Sequence, residues 1–306
     1  MKQRFGLMSV AGLALIALAG CATVETAATI ATSVGEATGT ISPEQGESVR
    51  KSTAAVAKSL EEFTPEQEYY IGRTVGAVVL DKYKPLADAR ANAYLNTLGQ
   101  TLAQASNRPE LFAGYHFLIL NTDDINAFAT PGGHIFITRG LLRCCRTEDA
   151  LAAVLAHEIA HVELGHGMKA IEKARMTEAL TVLAQEGAKS LGGREVAQLT
   201  QAFGGVISDI TNTMITNGYS RSYEYQADRA AVALLQRMGY PPGALIGMLE
   251  VMSDRIKPGG TDFSKTHPSP RNRINELKDG KTPLDPIEPP AVRNERFTKA
   301  VGHLLR

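Results

Sequence analysis

The stretch His157-Glu158-Ile159-Ala160-His161 decides more about this chain than any other. On a helix, residues four apart lie about 40° apart around the axis. His157 and His161 therefore present two imidazoles on one face, at a spacing that suits a single Zn²⁺. Glu158 follows the first histidine and can act on a water as a general base. The run predicts a zinc-dependent hydrolytic site.

The residues before this motif support a metal site. The run 150–156 is apolar and strongly helix-forming, which predicts a buried helix. Two buried imidazoles beside a buried carboxylate are costly unless something such as a metal satisfies them. The alternative is a surface helix with two unrelated histidines, and the apolar context disfavours it. The pattern is typical of zinc metalloproteases, so we expect a peptide-bond hydrolase with one Zn²⁺ per chain.

A catalytic zinc usually has three protein ligands. His166 lies five residues after His161, about 140° around the helix and over the wrong face for a ligand. A better source is the segment 223–228, where Glu224 and Asp228 are again one turn apart. One carboxylate could bind zinc while the other accepts the free N–H of a ligand histidine. A solvated acidic face is the alternative, and several other glutamates compete for the role: Glu163, Glu172, Glu178, Glu186 and Glu195.

Five segments resemble, in order, the HtpX-like and CaaX-prenyl-protease-like zinc metallopeptidases, metallopeptidase family 48. They are Asn126 to Gly133, Ile135 to Leu142, His157 to His166, Glu224 to Asp228, and His267-Pro268. The similarity spans roughly residues 65–280 and is closer to the soluble periplasmic lipoprotein branch than to the multi-spanning members.

The resemblance assigns roles and a fold. It implies that Glu224 is the third zinc ligand, that Asp228 supports the site by a hydrogen bond, and that a histidine at the place of His166 is not a ligand. It implies an α+β, mainly helical, zincin-type (gluzincin) fold, with a small β-sheet and an active-site helix that carries both zinc histidines.

The segment Thr266-His267-Pro268-Ser269-Pro270-Arg271 predicts a stiff loop near the cleft. His267 or Arg271 could stabilise the transition-state oxyanion, or His267 could occupy the open position of the zinc and keep the enzyme latent. A loop packed for structural reasons is the alternative.

Two β-strands are predicted, at 115–120 and 135–138, with Pro131-Gly132-Gly133 as the turn between them. We expect the strand near 134–138 to be an exposed edge. An extended substrate would add to it by backbone hydrogen bonds, with Asn126, Ala127, Ile135 and Ile137 along the contact.

The N-terminus predicts a bacterial lipoprotein signal. Two basic residues precede an apolar run that ends in Leu18-Ala19-Gly20-Cys21. Cys21 would be acylated and would anchor the protein to a membrane. Ala22 in place of an acidic residue favours the inner leaflet of the outer membrane, facing the periplasm of a Gram-negative bacterium. An ordinary cleaved signal is the alternative.

The chain divides into a signal at 1–20, an Ala/Thr/Ser-rich tether or loose helix at 21–60, a peptidase domain at 61–280, and a Pro-rich tail with a short terminal helix at 281–306. Thr64-Pro65-Glu66-Gln67 predicts a helix start with a capping box, and the catalytic helix should begin near Thr147.

Charge and cysteines narrow the function classes. The sequence holds 32 basic and 32 acidic residues, so nothing favours nucleic acid as a partner. Adjacent Cys144 and Cys145 are too close for an unstrained mutual disulfide.

The function predicted is a membrane-anchored zinc endopeptidase that cleaves unfolded or misassembled envelope proteins. The alternative is a lipoprotein that escorts outer-membrane proteins, in contact with the outer-membrane assembly machinery, while its peptidase rests. A zinc amidase acting on cell-wall peptides is a further, weaker alternative.

Overall fold

A computed structural model describes residues 21–59, 63–173, 218–255, 267, 270–279 and 290–305. The predicted signal at 1–20 and most of the Pro-rich tail lie outside these ranges. The chain divides into two compact units, residues 1–63 with 171–206, and residues 64–170 with 207–306. Among the described residues, no helix combines the length and the apolar character needed to cross a bilayer.

The first unit contains two helices that pack on each other, α1 (Cys21–Ala37) and α2 (Pro43–Ser59). Arg50 of α2 donates to Glu36 of α1 at 2.8 Å and to Thr32 at 3.2 Å. These helices occupy the segment for which the sequence predicts a tether or a loose helix.

The second unit is mainly helical around a small sheet, as predicted. Its elements are α3 (Pro65–Lys82), α4 (Ala89–Gln104), β1 (His116–Leu120), β2 (Ala127–Ala129), β3 (His134–Thr138), α5 (Arg139–Leu142), α6 (Glu148–Glu163), α7 (Arg221–Arg237), α8 (Ala244–Arg255), α9 (Pro270–Asp279) and α10 (Ala291–Val301). The α3 helix begins with the predicted capping box, in which Thr64 and Gln67 bond each other's backbone N–H groups.

The sheet corrects one prediction. Its strand order is β1-β3-β2, with β1 parallel and β2 antiparallel to β3. Strand β3 is therefore central, not an exposed edge, and its Ile135 and Ile137 are fully buried. The turn Pro131–Gly133 joins β2 to β3 and not the two longer strands. A three-residue strand is too short to show an alternating pattern, so β2 was not visible in the sequence.

The two edges of this sheet differ. Side chains of α4 form hydrogen bonds to the backbone on the outer side of β1. Asn96 accepts from the Phe117 N–H at 3.2 Å and donates to the Phe117 carbonyl at 2.7 Å. Asn92 accepts from the Ile119 N–H at 3.0 Å. These amides occupy backbone groups that an added strand would need. Within the part of the chain that the structure describes, β2 is left as the edge that could accept a further strand.

Helix α6 runs through the core. Thr147 caps its N-terminus by accepting from the Ala150 N–H, which places the helix start where the sequence predicts it. Every residue from Leu151 to Val162 is buried, and α6 packs against α4, α7, α8 and β2. Such all-round burial holds the axis of the motif helix rigidly.

The C-terminal helix α10 belongs to the same core. Phe297 and Val301 are each 1% exposed. Arg296 binds Glu148 through both carboxylate oxygens, and Tyr94 and Tyr240 donate to the same carboxylate at 2.8 and 2.9 Å. The C-terminal helix thus holds the first turn of α6.

Candidate metal centre

Helix α6 brings the two motif histidines together. His157 and His161 are 2% and 1% exposed, and their Nε2 atoms lie 3.1 Å apart. Two neutral imidazoles whose Nε2 atoms point at one another gain little unless something lies between them. This arrangement is that of two ligands aimed at one ion.

Helix α7 supplies the third donor. Ser220 caps its N-terminus, which places Glu224 in the first turn, facing α6. One carboxylate oxygen of Glu224 lies 3.5 Å from His157 Nε2 and the other lies 3.4 Å from His161 Nε2. Metal bonds of 2.0–2.1 Å at a tetrahedral angle would separate ligand atoms by about 3.3 Å. The three donors therefore fit one zinc ion.

Burial and charge point to a dication as well. Glu158, Glu224 and Asp228 carry three carboxylates at no more than 1% exposure, opposed by the guanidinium of Arg273, also 1% exposed. With the carboxylates ionised and the histidines neutral, two negative charges remain uncompensated in a dry interior. Such charges are very costly when unpaired, and one Zn²⁺ balances both.

Asp228 orients the first histidine. Its Oδ1 lies 3.0 Å from His157 Nδ1, the ring nitrogen opposite the proposed metal side. Arg273 holds Asp228 through two bonds, from Nε to Oδ2 at 2.8 Å and from Nη2 to Oδ1 at 2.5 Å. A carboxylate behind a ligand histidine fixes its tautomer and raises its basicity.

The two histidines differ in acid–base behaviour because of these neighbours. Burial and the charge of Arg273 lower the pKa of His157, but bonds to Asp228 and Glu224 outweigh them and raise it to about 9. Burial lowers the pKa of His161 to about 3; the bond to Glu224 opposes this shift, and the charges of His157 and His267 add to it. Burial also raises the pKa of Glu158, although the histidine charges oppose this.

Glu158 lies beside the three donors without belonging to them. Its Oε1 is buried, makes no hydrogen bond to any residue that the structure describes, and lies 4.0 Å from His267 Nε2. A carboxylate kept free and with a raised pKa has the properties of a general base.

His267 closes the site from a third direction. It is 4% exposed, and its Nδ1 lies 2.8 Å from Glu224 Oε2. It joins the three donors in a group whose ligand atoms all lie within 4.8 Å of one another. The predicted proximity of His267 to the cleft is thus seen in the structure.

Arg271 is exposed on α9 and does not face this group, whereas Arg273 does. The sequence predicted a loop here, and no role was assigned to Arg273. The available signal was helical: Pro270 opens α9, and Arg273 shares a face with Ile274 and Leu277, which are buried.

Those competing glutamates that the structure describes do not take part in the site. Glu163 bonds the backbone N–H of Asn107 at 2.9 Å and its side chain at 2.6 Å. Glu172 is exposed. Glu178, Glu186 and Glu195 lie outside the described residues.

Strand β2 packs against α6. The backbone N–H groups of Thr130 and Thr138 donate to the carbonyls of His134 and Asn126, respectively. Because hydrogen-bonded pairs alternate along an antiparallel ladder, Phe128 and Phe136, midway between these two bonds, form the next such pair. The N–H and C=O groups of Ala127 and Ala129 then point away from β3. The Ala127 N–H is bonded by Asn126 Oδ1 at 2.9 Å.

Comparison with known proteins agrees with this geometry. Residues 89–281 match the profile of peptidase family M48. The chain is 29% identical over 222 residues to a beta-barrel assembly-enhancing protease of Escherichia coli (strain K12), covering 72% of this chain and 44% of that protein.

Two further relatives match about half of this chain. A mitochondrial metalloendopeptidase, OMA1 of Schizosaccharomyces pombe, is 31% identical over 50% of this chain and 43% of its own length. Metalloprotease LoiP of Escherichia coli (strain K12) is 26% identical over 54% of this chain and 62% of its own length. The chain therefore spans less than half of the first relative.

Proposed function

The chain belongs to peptidase family M48 and is therefore a zinc metallopeptidase, and we propose that it is an endopeptidase acting on unfolded or misassembled proteins of the cell envelope. The observation that carries the proposal is the buried group His157, His161 and Glu224, with the Glu158 carboxylate beside it, whose Oε1 makes no hydrogen bond among the described residues. In this proposal the three residues hold one zinc ion, and Asp228 orients His157.

Zinc, when bound, supplies Lewis-acid chemistry that polarises a carbonyl and lowers the pKa of a water. Glu158 takes a proton as the water oxygen bonds to the scissile carbonyl carbon, and returns it to the amide nitrogen as the C–N bond breaks. The arginine–aspartate pair behind His157 keeps that ring from turning during this exchange.

The form of the substrate follows from the sheet. A segment in extended conformation could add to β2 through the outward groups of Ala129 and the carbonyl of Ala127, in place of the predicted contact along Ile135 and Ile137. Folded helices have no free backbone groups to offer such an edge. This supports unfolded or loop segments as substrates. The name of the Escherichia coli relative, a beta-barrel assembly-enhancing protease, supports envelope proteins as their source.

Glu158→Gln tests the chemistry. The variant keeps the size of the side chain and the three donors but removes the base. We expect full zinc content and a rate of cleavage of an unfolded protein lower by 10²- to 10⁴-fold, on the order of a lost general base. The same protein in its folded state should resist the wild-type enzyme. Unchanged cleavage by Glu158→Gln, or zinc retained after both motif histidines are replaced, would refute the assignment.

The contact between His267 and Glu224 supports the alternative in which the peptidase is latent. His267 bonds Glu224 at 2.8 Å and lies within 4.0 Å of Glu158, so it faces the position a substrate carbonyl needs. If His267 holds the enzyme latent, His267→Ala raises the rate of cleavage; if it stabilises the oxyanion, the rate falls. An escort role for outer-membrane proteins predicts that the cellular phenotype survives in Glu158→Gln.

The location is part of the proposal. We infer a lipid anchor at Cys21 in the periplasm, on the inner leaflet of the outer membrane, with residues 1–20 removed and residues 61–280 as the peptidase domain. Cys21→Ser should shift the protein from the membrane to the soluble fraction of the periplasm, without loss of peptidase activity. Membrane association that survives the substitution would contradict the anchor.

A further inference from the structure

We propose that His166 is a positioning residue that holds the zinc ligand His161 in place through a hydrogen bond between the two Nδ1 atoms. These atoms lie 3.0 Å apart, and the rings are 0% and 1% exposed. The proposal rests on the assignment of His161 as a ligand. It gives the second ligand histidine a partner of its own, distinct from the Asp228 carboxylate that serves His157.

Gly165, which lies between the end of α6 and His166, makes this arrangement possible. Helix α6 ends at Glu163 with Leu164 as its C-cap, and Gly165 adopts a left-handed conformation with φ 64°. On a continuous helix His166 would point about 140° away from His161. The break in the helix at Gly165 allows the His166 ring to lie on the Nδ1 side of the His161 ring.

Proton placement follows from the geometry. The Nε2 of His161 faces His157 and Glu224, so Nδ1 is the nitrogen left to donate when Nε2 binds a metal. The Nδ1 of His166 must then accept, and its own proton must sit on Nε2. Zinc-binding histidines commonly donate to a carboxylate or a carbonyl; here a second imidazole takes that place.

His166 is itself held by the helix that carries the third ligand. The Tyr223 ring stacks on it with centroids 4.5 Å apart and planes 6° from parallel. Tyr223 directly precedes Glu224 on α7. The stack fixes the plane of the His166 ring, and the hydrogen bond between the two Nδ1 atoms then restricts the orientation of the His161 ring.

Two substitutions separate the hydrogen bond from the stack. His166→Phe keeps a ring against Tyr223 but cannot accept a hydrogen bond. His166→Asn loses the ring but places an oxygen at the same number of bonds from Cα as Nδ1. We expect zinc affinity, measured by competition with a chelator, to fall 10- to 100-fold in His166→Phe and to stay near the wild-type value in His166→Asn. His116→Phe, at an exposed histidine on β1, is the matched control and should leave affinity unchanged.

The proposal is overturned if His166→Phe binds zinc as tightly as wild type, or if both His166 variants lose affinity equally. A second measurement needs no variant. In zinc-loaded wild type labelled with ¹⁵N-histidine, His166 should carry its proton on Nε2 and His161 on Nδ1; a proton on Nδ1 of His166 would refute the inference. His161→Ala separates this from the site itself: zinc retained in that variant removes His161 as a ligand, whereas zinc lost there but held by His166→Phe removes only the role of His166.

Discussion

Replacing Arg273 by methionine tests whether the buried charges are balanced as the geometry indicates. The substitution keeps a long unbranched side chain and removes the guanidinium. Arg273 makes two bonds to Asp228, and both side chains are 1% exposed. Water therefore cannot take over the role of the missing partner.

The size of the effect follows from that burial. Removing one partner of a buried, hydrogen-bonded ion pair leaves an uncompensated charge and costs about 3–5 kcal/mol of folding stability. We expect Arg273→Met to lose stability in this range. Because Asp228 would then turn more freely behind His157, zinc affinity should fall as well, by roughly 10- to 100-fold.

The assay is urea unfolding of the full chain followed by circular dichroism, at fixed zinc concentration. Arg271→Met is the matched control, because Arg271 is exposed two residues away on the same helix. Its stability should stay within about 0.5 kcal/mol of wild type. Adding Asp228→Asn to Arg273→Met removes the orphaned charge and should recover part of the loss.

Two results would refute the reasoning. One is an Arg273→Met variant as stable as the Arg271→Met control. The other is a double variant whose loss is the sum of the two single losses, because independent losses would mean that the two side chains do not act as a pair.

Two further predictions concern the elements that hold the site. Hydrogen bonds from Arg296 and Tyr94 outweigh burial and lower the pKa of Glu148 below 4.5; its contribution is therefore complete above pH 4.5 and lost as the pH falls through the folded value. Glu148→Gln should cost about 1–3 kcal/mol at pH 7 and progressively less in acid, measured by urea unfolding at several pH values; a loss that does not change with pH would contradict this. A Cβ at Gly72 would lie 1.6 Å from the Pro131 carbonyl oxygen, whereas one at Gly247 meets no atom within 4 Å. Gly72→Ala should therefore displace the turn before β3 and lower both stability and peptide cleavage, while Gly247→Ala should be neutral or slightly stabilising; equal behaviour of the two variants would show that the close approach at Gly72 does not matter.

Local features were predictable from the sequence because local geometry determines them. The spacing of His157 and His161 is a property of any helix, and Thr64 and Thr147 signal helix starts through bonds to nearby backbone N–H groups. The pairing of Glu224 with Asp228 on one face followed from the same arithmetic. The resemblance to a known family then chose Glu224 among the competing glutamates.

The sheet order could not be obtained in that way. The alternation of side chains identifies a strand but not its neighbours, and β2 is only three residues long. Placing β1 on one side of β3 and β2 on the other depends on contacts between distant parts of the chain. The prediction that β3 is an exposed edge was wrong for that reason.

The sequence alone shows that two imidazoles share one helix face with a glutamate next to the first of them, and that a zinc-dependent hydrolase is the function to expect. The tertiary structure alone shows which distant groups complete the site, Arg273 instead of Arg271 and His267 against Glu224. The placement of His166 behind His161 depends on the break in the helix at Gly165. The reason is that a helix repeats every 3.6 residues, so nearby spacing predicts a shared face. Contacts across 43 to 116 residues depend on how the helices pack, and no local pattern contains that information.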